Sequence, residues 1–393
     1  MLKTNLEDFL PFMSFINVIK RDDNNGTVLI IDCNNMTEVA LALLKIKDID
    51  INLKVFLKNK DNNEDTALHI ACGNNMTKVA LKILEVKDIN VNIKNNDGDT
   101  ALHIACENEM PEVALKILEL EDIDVNHQDN NGDTALYIAC YYNMTEVALA
   151  LLEIEGINVN LQSKSKSTAL HIACGKNMTE VALKILKIKD INVNFQTQYG
   201  QTALHYACDN NMLEVVLALL KIKDICVNYQ NIYGHTALHY ACQNSMLSAL
   251  ELLEREDIDV NLQSNSKQTA LHFACYYNIP IALELLKIKG INVNIRTKTG
   301  KNALHIVCNR KRDSIILTIL EKYGSDETTQ HLCSQYKKKE YIGEECNICL
   351  SKPCDTLLIH ADTLGCHSCC RECSTKLPHC HICRSTIDYT FHK

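Results

Sequence analysis

From residue 76 onward the chain keeps returning to one apolar rhythm. In the stretch 76–86, Val79, Ala80, Ile83 and Leu84 fall at i, i+1, i+4 and i+5, which predicts a helix with a single buried stripe. A shorter run, Thr-Ala-Leu-His-Ile-Ala-Cys at 66–72, precedes it, and Asn74-Asn75 breaks the two apart. The run recurs as DTALHIAC at 65–72 and 99–106, DTALYIAC at 133–140, STALHIAC at 167–174, QTALHYAC at 201–208, HTALHYAC at 235–242, QTALHFAC at 268–275 and NALHIVC at 302–308. Its alanines are spaced by 34 residues five times and by 33 twice, and a worn copy stands at 29–52. A period of this size marks a stack of identical small units, because no single unit can bury its own stripe.

Each unit reads as a turn, a short helix, a break and a second helix. Pro111 and Pro280 sit just inside the second helix of their units, where a missing N–H costs nothing. Lys-Asp pairs, or Gly156 and Gly290, close it with residues that tolerate a left-handed turn.

These features resemble the ankyrin repeat: its Gly-x-Thr-Pro-Leu-His-x-Ala start and Asp-Val-Asn ending appear here as GDTALHIA at 98–105 and INVN at 89–92. Alanine replaces the usual proline, and most units carry one extra residue before the Val-Asn. The resemblance covers residues 28–326 and implies a mostly α solenoid of about nine helix–turn–helix units, capped by residues 1–27. His69, His103, His171, His205, His239, His272 and His305 occupy one repeat position, so they read as ties between neighbouring turns; stacked layers hold them too far apart to share a metal. Cys72, Cys106, Cys140, Cys174, Cys208, Cys242, Cys275 and Cys308 likewise read as small buried hydrophobes. The resemblance also implies binding of a protein target on the concave face formed by the turn tips and first helices. The tips vary while the frame does not: KNNDGD at 94–99, QSKSKS at 162–167, QTQYGQ at 196–201, QNIYGH at 230–235 and QSNSKQ at 263–268. Tyr199, Tyr233 and His235 on these tips are the candidate target contacts.

Composition narrows the classes. Of 393 residues 46% are hydrophobic and 23% charged, as in a globular protein. A formal charge of -9 argues against nucleic acid as the main partner. No run approaches the roughly 18–20 apolar residues that cross a bilayer, and the N-terminal stretch is acidic early, without a small-residue cleavage pattern. The chain reads as intracellular and cytoplasmic, with the nucleus left open and no membrane contact. Twenty cysteines in so long a chain without an export signal point away from a disulfide framework.

After a polar linker at 327–345, residues 346–393 hold the pairs Cys346/Cys349, Cys370/Cys373 and Cys380/Cys383 together with His367. A segment this short needs a staple, and thiolates in Cys-x-x-Cys pairs supply it by binding zinc. Seven ligands are then evident, and two tetrahedral ions need eight. Order and spacing resemble the RING finger, a small zinc-bound α+β domain. The resemblance implies that one structural Zn2+ takes Cys346, Cys349, Cys370 and Cys373, and the second takes His367, Cys380, Cys383 and one more ligand. That ligand is His360, by similarity to the double-minute ubiquitin ligases, or Cys366. Cys366 adjoins His367, and adjacent residues rarely both reach one metal at tetrahedral angles.

Ile348, Leu377 and Arg384 match RING positions that contact a ubiquitin-conjugating enzyme and its ubiquitin, as in inhibitor-of-apoptosis and double-minute types. The resemblance therefore implies a ubiquitin ligase that has no covalent intermediate and no cofactor beyond its two zinc ions, and works by holding target and conjugating enzyme together. The terminal IDYTFHK is similar to tails that dimerise related RINGs. His381 stands where the family often has proline, which keeps a second reading open: a non-catalytic ankyrin adaptor whose zinc module serves assembly or protein binding. The chain shows no glycine-rich phosphate loop, open metal site or nucleophile–base pair.

Overall fold

Thr66 stands in extended backbone (φ -82, ψ 170) and starts the helix Ala67–Gly73; its side chain accepts the N–H of His69. The imidazole answers, since the Thr66 N–H donates to His69 Nδ1 at 3.1 Å. This reciprocal cap uses histidine at a position usually held by Glu or Gln, and it recurs at Thr100, Thr168, Thr236 and Thr269. A backbone N–H can only donate, so Nδ1 is the unprotonated nitrogen and Nε2 carries the hydrogen. Nε2 of His69, His171 and His239 then donates to the carbonyls of Asp99, Phe195 and Gln268. These three histidines tie neighbouring turns, as their repetition implies, whereas Nε2 of His103 and of His272 is buried without a hydrogen-bond partner among the described residues.

The computed structural model describes residues 64–309 and the backbone of five short strands, β1 (Ile19–Arg21), β2 (Thr27–Leu29), β3 (Thr356–His360), β4 (Cys366–Cys369) and β5 (Ile387–His392). Most of the cap at 1–27, the linker at 327–345 and most of the zinc domain lie outside the described residues. Two compact units divide the chain at Ala207/Cys208, within the helix Ala203–Asp209. The first unit has inner helices Ala67–Gly73, Ala101–Glu107, Ala135–Tyr141 and Ala169–Gly175, each followed by an outer helix: Thr77–Leu84, Pro111–Leu118, Thr145–Leu151 and Thr179–Ile185. In the second, outer helices Leu213–Leu220, Met246–Leu253 and Ile279–Lys287 accompany inner helices Ala237–Asn244, Ala270–Tyr277 and Ala303–Asn309.

The predicted stripe is the core: Val79, Ala80, Ile83 and Leu84 are all buried. Cys106, Cys140, Cys174 and Cys208 are fully buried beside equally buried alanines. Side chains of that size let successive layers approach closely, while each buried Leu or Ile contributes roughly 1.5–3 kcal/mol.

One boundary differs from expectation. The second helix stops at Leu84, whose cap Glu85 is right-handed, and the left-handed residues Asp88, Gly156, Asp190 and Gly290 bend the loop beyond the helix. The Val-Asn ending then locks onto the next repeat: Asn92 Nδ2 donates to the Asp122 carbonyl at 2.6 Å, and its Oδ1 accepts the Asp124 N–H at 2.9 Å. Asn126, Asn160 and Asn261 repeat the clamp.

β3 pairs antiparallel with both β4 and β5, in the order β4-β3-β5. Leu358 lies opposite His367 and Ile359 opposite Cys366.

Candidate protein-binding face

Turn tips hold their shape through one side chain each. Asn95 Oδ1 accepts the N–H groups of Asp97 and Asp99 at 3.0 and 2.9 Å, and Asn231 Oδ1 accepts those of Tyr233 and His235, both at 3.0 Å. Successive tips are also joined. In the first unit the Asn130 N–H donates to the Asp97 carbonyl at 2.9 Å, and that of Lys164 to Asn131 at 2.7 Å; in the second, Asn265 donates to Tyr233 at 2.8 Å and Lys298 to Ser266 at 2.9 Å. The tips of each unit thus form a fixed row on which surface side chains can vary.

In the first unit that row starts acidic. Asp65, Asp97, Asp99 and Glu107 line, with His69 and Asn95, a cleft of about 230 Å³. Asp99 Oδ1 is buried and has no hydrogen-bond partner. Burial first, then the charges of Glu107, Asp129, Asp97 and Asp65, push the Asp99 carboxyl up to about 7. Burial, Asp129 and Glu107 do the same to Asp133, also up to about 7. Farther along, Tyr141 and Tyr142 meet edge to face with centroids 5.2 Å apart, and the Lys176 ammonium stands 4.5 Å from the Tyr141 ring centre.

The second unit presents aromatic rings instead. Tyr233 lies 6.4 Å from His235, His235 lies 5.7 Å from Tyr240 and 5.2 Å from Phe273, Phe273 lies 6.3 Å from Tyr277, and Tyr277 lies 4.6 Å from Tyr276, all between ring centres. This ladder runs from a tip down an inner helix.

Of the candidate contacts, Tyr199 on its tip in the first unit is 50% exposed and Tyr233 in the second is 58% exposed. His235 is half-buried: it stacks on His239 at 5.6 Å and serves as the ladder's interior rung. Phe273, Tyr276 and Tyr277 complete the surface, and their signal in the sequence was an aromatic doublet at the end of a short inner helix.

Candidate zinc ligands Cys346, Cys349, Cys370, Cys373, Cys380 and Cys383 lie outside the described residues, as do Ile348, Leu377 and Arg384. His360 ends β3, and Cys366 and His367 begin β4. Among the described residues no group of three or more His, Cys, Asp or Glu side chains is arranged to hold a metal ion, and no helix is long and apolar enough to cross a membrane.

No curated protein matches the chain. Among solved structures, the ankyrin repeat domain of Bcl-3, a unique member of the IkappaB protein family, is similar with 26% identity and a TM-score of 0.42, over 53% of this chain and 93% of that one. The family model "Ankyrin repeats (3 copies)" matches in overlapping windows, 34–129, 74–163, 106–196, 136–231, 182–264 and 238–331. With the Thr–His caps, the buried alanine–cysteine layer and the joined tips, the match over 34–331 establishes that the chain belongs to the ankyrin-repeat family.

Proposed function

We propose that the chain is a RING-type ubiquitin ligase whose ankyrin repeats hold a protein target and whose C-terminal domain recruits a ubiquitin-conjugating enzyme. Ankyrin repeats imply binding to proteins, and the tips described above offer a rigid frame with variable chemistry. The observation that carries the ligase half is the β3–β4 register. Leu358 stands opposite His367 and Ile359 opposite Cys366, and His360 follows one residue beyond this pairing, after a register irregularity between Ile359 and His360. The register therefore brings the backbone at positions 360 and 367 to the same end of the hairpin, which supports a zinc shared by His360 and His367, with Cys366 the alternative ligand.

The donor set fits zinc: thiolates in Cys-x-x-Cys pairs together with two histidines. Cys346, Cys349, Cys370 and Cys373 would hold one ion, and His360, His367, Cys380 and Cys383 the other. With every position closed by protein, the ions would supply folding stability and no chemistry. Ile348 and Leu377 would present apolar contacts to the conjugating enzyme. Arg384 would restrain its ubiquitin through a planar multi-donor fork, leaving catalysis to proximity.

The test is an in vitro ubiquitination assay of the full chain with activating enzyme and a panel of conjugating enzymes, beside metal analysis. Two zinc ions per chain are expected, with one lost in His360→Ala and both kept in Cys366→Ala. Ubiquitin chains should form with the parent and fade in Ile348→Ala and Arg384→Ala. Silence across the panel from a protein holding two zinc ions would leave the adaptor reading, with His381 the first residue to change.

A further inference from the structure

Resting on the reading of the repeats as a target-binding face, we propose that the second unit's surface between Tyr229 and Lys301 docks an extended acidic segment of a partner protein. That segment would carry carboxylates about three residues apart and an aromatic or branched apolar side chain between them. The apolar part of the seat is the ring ladder Tyr233–His235–Phe273–Tyr277. Its ends are wide open, with Tyr233 58% and Tyr277 55% exposed and Ile232, next to Tyr233, at 50%. Tyrosines held in place by neighbouring rings and standing in solvent are the kind of anchors on which protein interfaces concentrate their binding energy.

The charged part is the last two tips. Residues 263–268 and 296–301 hold Lys267, Arg296, Lys298 and Lys301 and no acid. Among the described residues no carboxylate forms an ion pair with any of the four. Their field is felt nearby: burial first, then the charges of Arg296 and Lys301, hold the His305 imidazole below its usual range. Aromatic and basic parts belong to one built row, because Asn265 is bonded to the tip of Tyr233 and Lys298 to that of Ser266.

Spacing supplies the rest. Stacked helical layers lie roughly 8–10 Å apart and an extended chain rises about 3.3 Å per residue, so every third side chain of a segment laid across the tips meets a new tip. Single-stranded nucleic acid also suits rings and cations, but it brings a phosphate at every nucleotide. The tip at 230–235 has no lysine or arginine to meet them, Asp209 lies beside Asn244 at 2.6 Å, and the whole chain is net -9. Sparse carboxylates fit this surface; a dense polyanion does not.

Fluorescence anisotropy with the zinc-loaded full chain tests the proposal, using a labelled random Glu–Tyr copolymer as probe beside polyglutamate, a Lys–Tyr copolymer and oligo-dT. The Glu–Tyr copolymer should bind at least threefold more tightly than polyglutamate, and the Lys–Tyr copolymer should not bind. Lys298→Glu/Lys301→Glu should weaken binding at least tenfold, and Tyr233→Ser/Tyr277→Ser at least threefold. Lys164→Glu/Lys166→Glu on a first-unit tip should change it less than twofold. Absence of copolymer binding, equal binding by Lys298→Glu/Lys301→Glu, or tighter binding of oligo-dT would each overturn the proposal. Ubiquitination by the same preparations separates the two readings: chains without copolymer binding sink this inference alone, whereas copolymer binding without chains sinks the ligase and leaves the acidic-segment seat standing.

Discussion

In the first unit the tip at 94–99 presents Asp97 and Asp99, and the next presents Asp129 and Asp133. In the second unit the tips at 263–268 and 296–301 present Lys267, Arg296, Lys298 and Lys301. Both pairs of tips are held by short side chains accepting the N–H four residues on: Asn95 and Asp129 in one unit, and in the other Ser264 and Thr297, each at 3.2 Å. Local structure is therefore constant while surface chemistry reverses. Fold stability should depend on what the tips share, and partner choice on what they do not.

The largest expected effect concerns pH. Burial, the leading cause, holds His103 and His171 down to about 4. A histidine with a lowered folded pKa gives stability that is fully present above its unfolded value near 6.5 and is lost as pH falls toward 4, up to roughly 3 kcal/mol each. Asp99 and Asp133, raised to about 7, act with the opposite sign: protonation stabilises the fold below their unfolded value near 3.8 and that gain is lost as pH rises through 7. In the parent the two slopes offset. Asp99→Asn/Asp133→Asn should expose the histidine slope, so that hydrogen-exchange protection of residues 100–140 drops steeply between pH 6.5 and 4.5. An unchanged profile in that double variant would mean the carboxylates are not coupled to folding. The tips at 263–268 and 296–301 carry no carboxylate, so the second unit should show the acid loss without any substitution there.

Next comes the frame. Gly98 and Gly234 have φ +81 and +74, and a Cβ on either would stand 2.8 or 2.7 Å from the backbone nitrogen of the next tip, Asn130 or Asn265. Left-handed strain alone costs roughly 1–2 kcal/mol, and displacing a bonded tip adds to it, so Gly98→Ala and Gly234→Ala should each cost about 3 kcal/mol. Gly156 and Gly290 are equally left-handed with nothing within 4 Å, and alanine there should cost only the strain. Denaturant midpoints compare the four. Unequal losses at Gly98 and Gly234 would show that the two regions do not share one frame.

Much of this was legible beforehand. The 34-residue period fixed both helices of each unit, because a stripe repeating at that interval has one way to be buried. Identical placement marked His69 and Cys72 as scaffold, and the structure buries both while burial pushes the Cys72 thiol up to about 12. The tautomer of His69 was not legible, since it follows from a backbone N–H aimed at Nδ1. Phe273 holds the repeat position of Ile70, Ile104, Tyr206 and Tyr240, and Tyr277 follows it four residues on. Which rings meet across neighbouring repeats follows from stacking that one repeat does not show, so the ladder stayed hidden although two of its rungs, Tyr233 and His235, stood out.

The smallest effect tests how each region forms its turn without glycine. At 166 and 267 the tips put lysine where neighbouring repeats have Gly98, Gly132, Gly200 and Gly234, at φ 60 and 59. A side chain there pays the left-handed penalty, offset in part by glycine's larger entropy loss on folding. Lys166→Gly and Lys267→Gly should therefore each raise stability by about 1 kcal/mol in denaturant titrations. The two should part company in binding. Lys267→Gly removes a cation from the proposed seat for an acidic segment and should weaken the Glu–Tyr copolymer two- to threefold, whereas Lys166→Gly should leave it unchanged. Equal effects on binding would mean that charge anywhere on the tips suffices, and the contrast between the regions would then be one of composition without consequence for the partner.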